Sequence, residues 1–523
     1  MLRGLIDKQR ISDLVRHRWY FFVPASVVSI GGLFPVGYLI AKAFDVESSE
    51  LYVNLFRWRN VDLFLNTLLL TVGVLIVNIL IATPAAWLTS RSDLGFKRIF
   101  SVLCALPLAI PGYVIAYALL ALGGNNGIFA WVFGISIPRL SGYLGALIAL
   151  SFYTTPYLFL NLRAALLGLD TSLEESARSL GYNKWRVFIH VVLPQLRPAF
   201  YASGLLISLH VIGDFGVVSL MRFETFSYAL YVEYSLTYAH NYAAWLALML
   251  LAFTGCLLFL ESRLLKGITL HRAGHGTSRN QSMILLGGWR KVGYLYLILL
   301  FMATVGIPVA SVMLWLFRGF DVSALDTIFE ALIGSLGIAI PSAVICAMLA
   351  VPFVYVGLRY RSHMANVLER IPYVIYAIPP LAFALSIIFV IGGSESILVL
   401  IYACILHFLA EAIGPVRSSL YQASPNIEEA ARSLGCSPFQ AFIRTILPLL
   451  SRGMLTSVAL VFLATMKELP LMFLLRPTEY ETLAFNAFDY TQEAMFAEAA
   501  PYAFLILLSS AFFIGPLIRQ EKA

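Results

Sequence analysis

Long apolar stretches separated by short polar connectors run the length of the chain. A bilayer core about 30 Å thick takes roughly 20 apolar residues to cross as a helix. Twelve stretches meet that length: residues 19–41, 62–89, 99–122, 141–162, 199–221, 241–262, 293–317, 329–356, 367–391, 396–416, 452–475 and 496–518. Several contain Gly and Pro, which helices in lipid tolerate because neighbouring groups satisfy the backbone they free. The pattern predicts an all-α polytopic membrane protein of about 12 transmembrane helices.

Composition and charge sharpen this picture. Of 523 residues, 60% are hydrophobic and only 12% charged, with mean hydropathy +0.82; a soluble globular protein carries about 25% charged residues. The net charge of +7 does not point to nucleic acid, because the cations lie between apolar stretches and form no long run. Cytoplasmic loops collect Lys and Arg. With the N-terminus inside, the internal loops hold Arg91, Lys97 and Arg98; Arg163, Arg178, Lys184, Arg186 and Arg197; Arg263 to Lys291; Arg359, Arg361 and Arg370; and Arg417, Arg432, Arg444 and Arg452. The last external loop is acidic (Glu479, Glu481, Asp489, Glu493). Both termini are therefore expected in the cytoplasm. The basic N-terminus leads into an apolar segment longer than a signal-peptide core and without a small-x-small cleavage site, which reads as a retained first span. The five cysteines (Cys104, Cys256, Cys346, Cys404, Cys436) are scattered and read as small core residues. No metal site is assigned.

The chain repeats itself. Residues 174–194, EESARSLGYNKWRVFIHVVLP, return at 428–448 as EEAARSLGCSPFQAFIRTILP, with 11 of 21 positions identical at an offset of 254. Earlier landmarks agree at an offset of 268: Asn66-Thr67 with Gly334-Ser335, Pro84 with Pro352, Pro111 with Pro379. The chain thus divides into two six-helix halves that run in the same direction across the membrane, the parallel-repeat arrangement. The boundaries read as an N-terminal basic segment, first span and external loop (1–61), a first half (62–262), a cytoplasmic linker (263–292), a seventh span with its external loop (293–328) and a second half (329–519).

Each repeated stretch is predicted as a short helix, a turn at Gly181 or Gly435, and a second short helix ending at Pro194 or Pro448. Thr171 or Ser172 can cap the first copy and Ser424-Pro425-Asn426 the second, with Glu174, Glu175, Glu428 and Glu429 in the first turns. A short helix with a rigid corner behind it suits docking to a partner in the cytosol.

The pattern E-[AS]-A-x3-G-x11-L-P resembles the EAA loop of the membrane subunits of bacterial importers driven by ATP-binding cassettes, and the resemblance covers residues 60–520. It implies a bacterial inner-membrane, multi-pass permease with two fused halves of the type I fold. Its coupling elements would be residues 172–182, with Glu174, Glu175, Ala177, Leu180, Gly181 and Tyr182, and residues 426–436, with Glu428, Glu429, Ala431, Leu434 and Gly435. Ser176 replaces the central Ala of the motif. The implied partners are two cytoplasmic ATPase subunits, a periplasmic or lipoprotein substrate-binding protein, and membrane lipid. The chain lacks a GxxxxGK[ST] phosphate loop. It is therefore expected to be no enzyme itself and to bind no cofactor, with ATP and Mg on the partner ATPase.

Charges inside membrane spans are costly and point to function. Asp214 and Glu468 each lie 20 residues beyond the proline of their copy, and Arg222 and Arg476 follow as a second pair of mates. The acids could line the translocation path, close a gate or meet a hard cation, which prefers oxygen ligands; they could equally cap broken helices or pair locally, Glu468 with Lys467 for instance. Glu411 has Tyr157 as its mate, and His210 and His407 read as packed. Two fused halves, the ELP after the second repeat and LLRPTEYETLAF beyond it resemble the ferric-iron importer permeases. Importers of the same class for thiamine, phosphonate or polyamine remain alternatives. So does, from another class, a secondary transporter driven by an ion gradient.

Overall fold

The computed structural model describes residues 2–45, 53, 56–169, 171–235, 240–264, 284–319, 321–360, 362–392 and 396–520. Most of the predicted linker therefore lies outside the described residues. In chain order the helices are α1 (Leu2–Phe44), α2 (Trp58–Arg91), α3 (Lys97–Ala105), α4 (Gly112–Leu122), α5 (Gly142–Gly168), α6 (Thr171–Ser179), α7 (Trp185–Gly213), α8 (Gly216–Leu220), α9 (Phe226–Ser235) and α10 (His240–Leu264). There follow α11 (Gly287–Gly319), α12 (Leu325–Arg359), α13 (His363–Ala377), α14 (Pro380–Ile391), α15 (Ile397–Gln422), α16 (Pro425–Ser433), α17 (Pro438–Lys467), α18 (Pro470–Leu475), α19 (Leu483–Gln492) and α20 (Phe496–Gln520).

Among the described residues nine helices are long and apolar enough to cross a bilayer, α1, α2, α5, α7, α10, α11, α12, α15 and α17, or eleven spans if each of two bent pairs counts as one, with the start of α20 a further, shorter apolar helix. The predicted spans 99–122 and 367–391 are instead bent by 91° between α3 and α4 and by 103° between α13 and α14. A residue before proline is driven out of the helical region, and Ile110 and Ile378 accordingly take ψ of 118° and 127°. Pro111 and Pro379 then open the next helix, where the missing N–H costs nothing. The predicted spans 199–221 and 452–475 also break, after Gly213 and after Lys467.

Two compact units emerge, and they are not the halves read along the chain. The first-half unit comprises Tyr52–Asp321 and Ala487–Leu507; the second-half unit comprises Met1–Leu51, Val322–Asn486 and Leu508–Ala523. The leading span α1 therefore packs within the second-half unit, and the seventh span, α11, within the first-half unit. Phe21 of α1 stacks on Tyr355 of α12 with ring centroids 4.1 Å apart, and Ser311 of α11 donates to the Ala118 carbonyl of α4 at 3.4 Å.

Each unit is built on three mutually packed helices, α2, α5 and α7 in one and α12, α15 and α17 in the other. Lipid tails are as apolar as Leu, so such helices associate through close packing and interhelical hydrogen bonds. The bonds fall at matched positions. Asn78 donates to Thr154 at 2.8 Å and Cys346, its mate at offset 268, to the Ile405 carbonyl at 3.2 Å. Ser203 and its mate Ser457 donate to the carbonyls of Tyr157 and Ala412. Gly453 lets α17 approach α15 so closely that a Cβ there would lie 2.6 Å from the Pro415 carbonyl oxygen. Gly453→Ala should therefore lower the thermal unfolding midpoint of the detergent-solubilised chain, by the equivalent of about 1–3 kcal/mol of overpacking. Gly414→Ala, at a helical position with nothing within 4 Å of the new methyl group, should not.

Candidate functional site

Both repeated stretches fold as helix, corner, helix. Ser424 caps α16 by accepting the Asn426 N–H at 3.3 Å, with Pro425 as the first helical residue, as the sequence predicts. In the first copy α6 begins at Thr171, so Thr171 and Ser172 fall within the helix, and the residue ahead of it lies outside the described residues. The corner glycines take left-handed φ, +88° at Gly181 and +92° at Gly435. Around them the N–H of Tyr182 reaches the Ala177 carbonyl and that of Gly181 the Arg178 carbonyl, at 3.1 and 3.0 Å. Cys436 to Ala431 and Gly435 to Arg432 repeat the pair at 3.2 and 3.1 Å. This is a Schellman motif, in which the residue four before the glycine supplies the outer carbonyl. The A-x3-G spacing of the repeat is that geometry written in sequence. Asn183 and Ser437 then cap the next helix, accepting the N–H of Arg186 at 2.8 Å and of Gln440 at 3.3 Å.

The corner projects apolar side chains outward. Leu180 and Leu434 are 80% and 87% exposed at the tips of otherwise polar helices. Tyr182, Glu175 and Glu429 are exposed, Ala177 is buried and Ala431 half-buried. Glu174 and Glu428, by contrast, turn toward their own unit. Glu174 accepts from Arg91 Nη2 at 2.8 Å, and Glu428 is buried with both carboxylate oxygens on the Tyr355 hydroxyl, at 2.8 and 2.9 Å.

Pro194 and Pro448 do not end their helices as the sequence suggests. One turn ahead of each, the helix widens: Leu193 N–H bonds back to Phe188 O and Leu447 N–H to Phe442 O, five residues away. A proline ring would clash with the carbonyl four residues back, and a π-turn moves that carbonyl aside. α7 and α17 therefore run unbroken from the corner for 29 and 30 residues, about 45 Å at 1.5 Å per residue.

Asp214 and Glu468 sit at the far ends of these rods, where each helix breaks. Asp214 Oδ1 accepts the N–H of Val217 at 2.8 Å, and Glu468 Oε1 accepts that of Leu471 at 3.2 Å, each three residues on, which caps α8 and α18. Of the alternatives open in the sequence, the capping geometry is therefore present at both. A Cβ at Gly112 would lie 2.9 Å from Val217 and 3.6 Å from Asp214 Oδ2, so this glycine lets the α3–α4 bend close on the capped break. Arg222 and Arg476, matched in sequence, differ in structure. Arg222 is exposed with φ +53°. Arg476 binds the carbonyls of Thr478 and Tyr480 at 3.2 and 2.9 Å and lies 3.4 Å over the Phe485 ring, bracing its own loop.

One polar feature was under-read in the sequence. Glu411 accepts from the Tyr376 hydroxyl at 3.0 Å, and its mate Tyr157 is hydrogen-bonded to His210 at 2.9 Å. The signal was available: positions 157 and 411 are both polar within apolar spans. His407 is buried among the rings of Tyr376, Phe383 and Phe408, as expected of a packed histidine. Among the described residues no three His, Cys, Asp or Glu side chains group as metal ligands.

Known proteins give this geometry a context. Residues 78–268 and 354–515 match the family described as binding-protein-dependent transport system inner membrane component. The chain is 33% identical over 485 residues to the Fe(3+)-transport system permease protein FbpB 2 of Haemophilus influenzae, covering 91% of this chain and 93% of that one. It is 33% identical over 136 residues to the molybdenum transport system permease protein ModB of Escherichia coli, 25% of this chain and 58% of that one. To the sulfate transport system permease protein CysT of Escherichia coli it is 27% identical over 187 residues, 36% and 68% of the two chains. A transporter driven by an ion gradient is not what such a family comprises, and that alternative falls. With the family matched once in each half, the chain belongs to the binding-protein-dependent transport system inner membrane components, as a multi-pass importer permease with both halves fused in one polypeptide.

Proposed function

We propose that this permease carries ferric iron and takes its power stroke through the two repeated polar elements, which dock on two cytoplasmic ATPase subunits. The observation that supports the coupling reading is the pair of exposed leucines, Leu180 and Leu434, held at matched corners on polar helices. Such a knob is suited to an apolar groove on a partner. In this reading ATP and Mg stay on the ATPase, both termini and the elements face the cytoplasm, and a periplasmic or lipoprotein binding protein delivers substrate from the other side. ATPase closure moves each corner; the unbroken α7 and α17 carry that displacement to the capped breaks at Asp214 and Glu468.

The likeness to the Fe(3+)-transport permease supports iron, because it extends across both halves, whereas the molybdenum and sulfate likenesses span 25% and 36% of this chain. The substrate test is reconstitution in proteoliposomes with the ATPase and a cognate binding protein. Ferric-loaded binding protein should stimulate ATP hydrolysis; stimulation by molybdate, sulfate, thiamine, phosphonate or polyamine instead would overturn iron while leaving the importer assignment intact.

Gly181→Pro and Gly435→Pro test the coupling reading. Proline holds φ near −65° and cannot take the left-handed corner, so uptake should fall at least tenfold while membrane insertion persists. Normal uptake in both variants would remove the elements from the power stroke. The capped breaks give a separate expectation. Asp214→Asn keeps an oxygen for the Val217 N–H and should transport near normally, whereas Asp214→Ala loses a cap worth about 1 kcal/mol and should transport less. An Asn variant that folds but fails in uptake would assign the charge itself to the path.

A further inference from the structure

Each repeated element carries two adjacent glutamates, and the structure separates them. Glu175 and Glu429 are exposed; Glu174 and Glu428 turn back onto the helix that opens the core of their own unit. In the first-half unit the clasp is ionic. Arg91, the last residue of α2, is 5% exposed at its side chain and holds Glu174, which is 22% exposed. In the second-half unit the clasp is different. The mate of Arg91 at offset 268 is Arg359, and its guanidinium goes to the Ala423 carbonyl at 3.0 Å instead. Glu428 is taken by Tyr355, one helical turn earlier on α12, where the first half has Trp87. The two halves therefore do not use the same clasp. Phe21 of α1 roofs the tyrosine clasp. It stacks on Tyr355 and meets Phe442, the residue where the π-turn of α17 begins, at 4.9 Å.

We infer that Glu174 with Arg91, and Glu428 with Tyr355, are positioning pairs that lock each element to its unit, and that the locks are unlike in kind. The first is an ion pair between a buried guanidinium and a partly exposed carboxylate. The second is a buried hydroxyl–carboxylate clasp sealed by the N-terminal helix. Without a lock, an ATPase could swing an element about its glycine corner and leave α7 or α17 behind. With one, displacement of the element is displacement of the unit. This inference rests on the coupling reading.

The test is uptake per ATP hydrolysed by the full complex of permease, ATPase and binding protein in proteoliposomes, with ATPase co-purification as the check on assembly. Tyr355→Phe and Arg91→Ala should each lower that ratio, by about tenfold or more for loss of one charge-assisted hydrogen bond, with co-purification unchanged. Arg91→Lys should recover most of the loss, and so should exchange of the pair, Arg91→Glu with Glu174→Arg. The unlike locks should show in charge rescue, which the lysine and the exchanged pair supply at the first lock and which the phenol of the second does not need. If Tyr355→Phe and Arg91→Ala keep the wild-type ratio while Gly181→Pro and Gly435→Pro lose it, the locks are overturned and the coupling reading stands. If none of these variants changes the ratio, the coupling reading itself falls. A lysine variant no better than alanine would overturn the ionic character assigned to the first lock.

Discussion

Inside a bilayer no water is present to satisfy the backbone, so every helix that stops there must be given partners at its end. This constraint organises the molecule. At the α3–α4 and α13–α14 bends a proline opens the new helix, and the new turn closes on the proline's own carbonyl, through Val114 at 3.0 Å in one unit and Phe383 at 3.0 Å in the other. At the ends of α7 and α17 a carboxylate does the same work for α8 and α18. The helices that follow are started in like fashion: Thr67 of α2 accepts the first N–H of α9, from Phe226, and Ser335 of α12 accepts the first N–H of α19, from Leu483. The half-buried carboxyl at position 214 or 468 is thus explained first by backbone accounting.

The same accounting governs the corners outside the apolar spans. There a helix must end and the chain must turn sharply into a rod that continues through a proline. The Schellman bonds satisfy the last carbonyls of α6 and α16, the left-handed glycine makes the turn, and a π-turn lets Pro194 and Pro448 remain within the rod. Asn183 and Ser437 cap the rod two residues after the glycine, so corner and rod are joined through hydrogen-bonded turns. On the coupling proposed above, such a junction would transmit displacement.

Much of this was legible in the sequence, for identifiable reasons. Span existence follows from runs of apolar residues. The duplicated elements follow from identity at fixed offset, and their corner from a glycine four residues after an alanine. The bends at Pro111 and Pro379 escaped because proline has two readings in a membrane helix. Pro84, Pro156 and Pro352 stay inside continuous helices; the breaks fall at Pro111-Gly112, where the missing Cβ admits Val217, and at the doubled Pro379-Pro380. The direction of Glu174 and Glu428 escaped for another reason. Two adjacent glutamates on a short helix differ by about 100° in facing, and only the position of Arg91 or Tyr355, far away in sequence, decides which one turns inward. The grouping of α1 with the second half and α11 with the first is likewise invisible to an argument that follows the chain in order.

Duplication explains both what is shared and what diverged. The bonds that any copy needs recur at matched positions: Asn78 and Cys346, Ser203 and Ser457, Asp214 and Glu468, Gly181 and Gly435. Cys346 serves where Asn78 does because the requirement is only a donor aimed at the neighbouring helix. Where a role admits more than one solution, fusion allows the halves to part. Two separate but identical subunits would have to solve each problem in the same way. A single chain can hold one element by a guanidinium and the other by a phenol, and can place α1 over the second alone. On the coupling proposed above, a pair of identical ATPase subunits would meet two handles whose corners agree in backbone and whose inward fastenings do not.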